Sequence, residues 1–234
     1  MTSEIQIDVQ DIDHLGIIAG IIDEIGIVEI IDKELGTHIQ EKVSAGQVVK
    51  AMIINCMGFL TAPLYLFSEF FAGKATEHLI GKGIQAEYLN DSRIGRVLEQ
   101  LYEYGVTILF VKIAYAMAKI FGLKIPSAHI DGTSLSVQGQ YQEPEEEKIE
   151  QHLPGELQQN SDFSDIRSVD NSEPIPIKIT PYGRLRPHGY SRDHRPELKQ
   201  FTLNLLTTGE EGIPLFMQVG SGNKHWPRGF SRDD

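Results

Sequence analysis

The spacing of apolar residues changes character once along this chain, and that change limits the folds open to it. From residue 13 to about residue 121 apolar side chains recur at three- and four-residue steps. From residue 127 onward they alternate. The first pattern belongs to helices with one buried stripe, the second to strands with one buried face. Lys124-Ile125-Pro126 stands at the change, and proline restricts the residue before it to extended backbone. The chain therefore reads as α+β: an all-helical N-terminal domain over residues 1–123, followed by a strand-bearing domain over residues 124–234.

Within the first stretch, Ile18, Ile21, Ile22 and Ile25, then Val28, Ile31 and Leu35, predict two short helices separated by Gly26 and closed by Gly36. Ser44 three residues before Gln47 has the form of a capping box. Val48, Val49, Met52, Ile53, Cys56 and Met57 form the expected buried face of the helix it opens. Pro63 is tolerated in a first helical turn and opens a helix reaching Phe71. Asn90-Asp91-Ser92 caps a helix whose inner face is Ile94, Val97, Leu98, Leu101 and Tyr102. A last helix runs from Val106 to Phe121 and ends at Gly122.

Strands are expected at residues 127–137, 200–207 and 213–219, the last two joined by a turn at residues 208–212, giving a meander. Between the first two lies an insertion, residues 143–175, rich in Glu, Gln, Ser, Asp and Pro and too poor in apolar residues to order itself, so it is expected to be a disordered acidic loop.

The net charge of −12 argues against a protein that coats nucleic acid along its whole surface, but the sum hides an asymmetry. Residues 1–142 carry 10 basic and 17 acidic groups, residues 143–173 carry 2 and 10, and residues 174–234 carry 9 and 6. Only the last segment is basic. A single cysteine, Cys56, excludes an intrachain disulfide and a cysteine-based zinc cage. It falls on an apolar helical face and reads as a small buried hydrophobe. The N-terminus lacks the basic start of a signal peptide. The most apolar stretch, residues 51–67, is interrupted by Asn55 and Pro63 and falls short of the ~20 residues a membrane span needs. A cytoplasmic location without membrane association is the expectation.

Two patterns carry chemistry. Asp131 lies in His129-Ile-Asp-Gly-Thr-Ser-Leu-Ser-Val137, where strand alternation delivers one carboxylate. A carboxylate on a rigid strand suits a magnesium site, whose hard cation needs fixed oxygen ligands; the same Asp-Gly step also suits a simple turn. His129 shares the face of Asp131 and reads as a packing histidine rather than a ligand. The second pattern, Gly189-Tyr-Ser-Arg-Asp-His-Arg-Pro-Glu-Leu-Lys-Gln200, gathers Arg192, Arg195 and Lys199 just before a strand. Guanidinium and ammonium groups there suit the nucleic-acid backbone; a solvated loop whose Arg192, Asp193, Arg195 and Glu197 pair with one another is the other reading.

His129-Ile-Asp-Gly-Thr-Ser134, Gly189 to Gln200, Gly212-Ile-Pro-Leu215 and Ser221-Gly-Asn223, occurring in that order, resemble the first part of bacterial insertion-sequence transposases of the DDE class. Gly46-Gln47, Asn55, Pro63-Leu-Tyr65 and Leu89-Asn-Asp91 are similar to the helical domain that precedes their catalytic core. The resemblance implies a ribonuclease-H-like α/β core in which Asp, Asp and Glu hold two Mg2+ ions for DNA strand cleavage and transfer, with Asp131 as the first acid and metal ligand. Arg192, Arg195 and Lys199 are then DNA contacts. DNA at the element ends is the implied partner, together with intact transposase or a second copy of the chain.

The sequence departs from that pattern after Asn223, where the usual Ser-Asp pair is replaced. No position is found for the second and third acids, and Asp233 and Asp234 have no element after them to fix their place. The expectation is an incomplete core, from a truncated or frameshifted gene, inactive on its own. A noncatalytic protein that binds DNA or transposase and interferes with transposition is the alternative.

Overall fold

The computed structural model describes residues 9–59, 62–137 and 199–221. Contacts divide the chain into two units, Met1–Gly132 with Leu203–Gln218 and Thr133–Thr202 with Val219–Asp234. The α+β expectation holds: the helices precede a small antiparallel sheet.

The helices are α1 (Leu15–Ile25), α2 (Ile27–Leu35), α3 (Ala45–Cys56), α4 (Phe67–Phe71), α5 (Thr76–Leu79), α6 (Asp91–Tyr104) and α7 (Val106–Ile120). Single 3-10 turns occur at Leu64–Leu66 and Ala86–Tyr88. Gly26, with φ of 76°, is both the end of α1 and the start of α2, a conformation that favours glycine and lets two helices meet without a loop. The capping box is present: Gln47 N donates to Ser44 Oγ at 3.2 Å, and Ser44 N donates to Gln47 Oε1 at 2.9 Å. Asn90 Oδ1 likewise accepts from Arg93 N at the start of α6.

One core holds these helices together, built from Leu15, Ile22, Ile31, Val48, Ile54, Phe67, Phe71, Leu79, Leu89, Ile94 and Val97 among others. Gly46 sets how closely α2 and α3 meet, since a Cβ there would lie 2.4 Å from the Val28 carbonyl oxygen. Two cations are enclosed with this core. Lys50 reaches Asp23 Oδ1 at 2.5 Å, and Arg93 donates to the Val43 carbonyl at 3.0 Å and to Glu41 Oε1 at 2.8 Å. The chain before α1 is strapped to the turn after α4: Asp11 N donates to Gly73 O, and Ala75 N to Asp11 O.

Several inner faces are rotated from those the spacing predicts. Helix α3 buries Val48, Lys50, Ala51, Ile54 and Asn55, leaving Cys56 and Met57 exposed and Met52 and Ile53 half-buried. Its apolar residues occur on every side, so periodicity does not choose the inner one. The Lys50 ion pair and the Asn55 carboxamide, which exchanges two hydrogen bonds of 2.9 Å with the backbone of Ala62, do. Ile21 of α1 and Leu98 and Tyr102 of α6 are likewise exposed.

Strands β1 (Ala128–Val137), β2 (Lys199–Thr208) and β3 (Pro214–Ser221) form a sheet in the order β1-β2-β3. Each lies within two residues of its predicted bounds. Gly209 N donates to Ser127 O at 2.9 Å, and Thr208 N to Ile213 O at 2.8 Å, which closes the hairpin between β2 and β3 around Gly212, at φ of 68°. The expected acidic loop at 143–175 lies outside the described residues. Among the described residues no single helix is long and apolar enough to cross a membrane.

Candidate functional site

Asp131 is the fourth residue of β1, which among the described residues stands at one end of the sheet order. Strand backbone runs straight through Asp131-Gly132, so the pair is not a turn. The Gly209–Ser127 hydrogen bond sets the register of β1 against β2, and Gly132 then stands across from Asn204. The packing agrees: a Cβ on Gly132 would lie 2.9 Å from Asn204 Oδ1. Glycine at 132 thus makes room for a carboxamide leaning over β1 from its neighbour.

Side chains alternate along a strand, so Asp131 projects from the face opposite to Asn204, together with His129 and Thr133. Asp131 is exposed, and its Oδ1 accepts from the backbone N–H of Gly132 at 2.8 Å. That bond fixes one carboxylate oxygen against the strand. His129 is exposed as well, so it is not the packing residue expected.

Whether these residues suit two Mg2+ ions is decided by the donor set. A magnesium ion between oxygen ligands is usually held by one or two carboxylates with water and substrate phosphate, and a pair of ions needs more than one acid between them. Among the described residues no cluster of three or more His, Cys, Asp or Glu side chains is placed to hold a metal. Asp131 alone does not fit a two-metal centre, and no metal-dependent step follows from the described residues.

Lys199 is the first residue of β2. Arg192 and Arg195 lie outside the described residues.

Two groupings escaped the sequence. Asn204 interrupts the apolar run Leu203-Asn-Leu-Leu206, which was the available signal for a strand residue with a special neighbour. The second joins α2, α6 and α7. Tyr104 Oη donates to Glu34 Oε2 at 2.5 Å, and Lys112 Nζ donates to Tyr104 Oη at 2.8 Å while standing 2.7 Å from Glu34 Oε2. Burial alone would raise the Glu34 carboxyl, but the hydrogen bonds from Lys112 and Tyr104, with the charges of Lys112 and Lys33, hold it below its usual range. Burial and the Glu34 carboxylate push the Tyr104 hydroxyl up. Burial would lower Lys112, and Glu34 and Tyr104 reverse that, leaving it raised. The bond between Tyr104 and Glu34 joins residues 70 positions apart, and local spacing carries no trace of it.

Among the described residues the chain is thus a set of helices followed by a three-stranded antiparallel sheet, with a carboxylate on its first strand. Residues 7–115, within the helical part, match a family described as a domain of unknown function (DUF4277). No curated protein and no solved structure matches the chain.

Proposed function

We propose that this chain serves DNA transposition of the DDE class, its helical domain recognising or assembling on element-end DNA and its sheet supplying Asp131 as the first acid of a ribonuclease-H-like core. The observation that carries the reading is the position of Asp131: an exposed carboxylate in the first strand of an antiparallel β1-β2-β3 sheet, pinned by the N–H of Gly132. The order of sequence patterns around that strand supports it. Arg192, Arg195 and Lys199 grip the DNA backbone in this reading, since guanidinium and ammonium groups neutralise phosphate without reading sequence.

Strand cleavage in this class uses two Mg2+ ions and several acids. With one carboxylate in place among the described residues, the part assigned to this chain is DNA binding and presentation of Asp131. The test is fluorescence anisotropy of the purified chain on duplexes taken from the DNA flanking its own gene, against scrambled duplexes, at low salt. Flanking DNA is expected to bind at least about tenfold more tightly. Equal affinity for both, or binding to neither, removes the reading. Tight binding to flanking DNA with no magnesium- or manganese-dependent nicking supports the noncatalytic form of the same role.

A further inference from the structure

We draw no further inference here: the strongest candidate, the exposed apolar end of α7 formed by Tyr115, Ile120 and Phe121 with Ile125 just beyond it, is an unpartnered face, and nothing in the structure shows what covers it.

Discussion

Lys50 is 2% exposed, and its ammonium nitrogen stands 2.5 Å from a carboxylate oxygen of Asp23, whose own side chain is 58% exposed. The pair is asymmetric: the cation is enclosed, while the anion keeps much of its hydration. Removing the anion therefore strands a charge, whereas removing the cation strands nothing. Asp23→Ala is expected to cost about 2–3 kcal/mol, below the 3–5 of a wholly buried pair because Asp23 is partly solvated. Lys50→Met, which keeps the stem volume, should cost less than ~1 kcal/mol. Urea midpoints of the two variants check this, and equal losses would mean that the ammonium is not sealed as described.

The Glu34–Tyr104–Lys112 network makes stability depend on pH at both ends of the scale. Glu34 is held below its ordinary value of 4.5, so its contribution is complete above that value and disappears as pH falls through the lower folded pKa. Lys112 and Tyr104 are raised above their ordinary 10.5 and 10.0, so theirs is complete below those values and disappears as pH rises past the folded ones. Tm should be flat between about pH 5 and pH 9 with respect to this network and fall outside that window. Glu34→Gln should remove the network's part of the acid-side fall. Tyr104→Phe should leave most of it, because the Lys112 bridge to Glu34 remains. A wild-type acid limb retained by Glu34→Gln would assign the effect to other carboxylates.

Two glycines separate a rigid neighbour from a yielding one. A methyl group at position 46 would meet Val28 backbone atoms at 2.4, 2.8 and 2.9 Å, and backbone has no rotamer to give. It would also force α3 away from α2, where Gly46 N donates to Asp32 Oδ1 at 2.7 Å. Gly46→Ala is expected to cost about 3 kcal/mol. At position 132 the obstacle is the end of the Asn204 side chain, which can swing aside, so Gly132→Ala should cost under ~1 kcal/mol. Thermal unfolding of the two variants measures the contrast, and similar losses would contradict this account of the α2–α3 approach.

How much of this was legible in the sequence follows from the range of each interaction. The Ser44–Gln47 box, the Asn90 cap and the glycine at 26 act within a few residues, and each stands where its pattern placed it. The strands were legible because alternation over eight to ten residues is a long signal. Helix rotation was not: α3 is apolar on several sides, and its inner face is selected by Asp23, 27 residues from Lys50, and by the backbone of Ala62. Cys56 and Ile21 were misjudged for that reason. At the candidate site, Asp131 and its strand could be read locally, while the approach of Asn204 to Gly132 depends on a pairing across 72 residues.

The proposed DNA-binding side chains make a prediction that separates backbone grip from sequence recognition. If Arg192, Arg195 and Lys199 each neutralise a phosphate, replacing all three with Ala should weaken binding to every duplex by a similar factor and reduce the slope of log K against log salt by about 0.9 for each phosphate no longer neutralised. The preference for flanking over scrambled DNA should persist, because in this reading the helical domain holds it. The chain's net charge of −12 opposes DNA at long range, so wild-type affinity should be modest and easiest to measure at low salt. Anisotropy titrations of wild type and triple variant at several salt concentrations decide between the two roles of this segment. An unchanged affinity and slope would show that these side chains are satisfied by Asp193 and Glu197, and the assignment of DNA binding to them would have to be withdrawn.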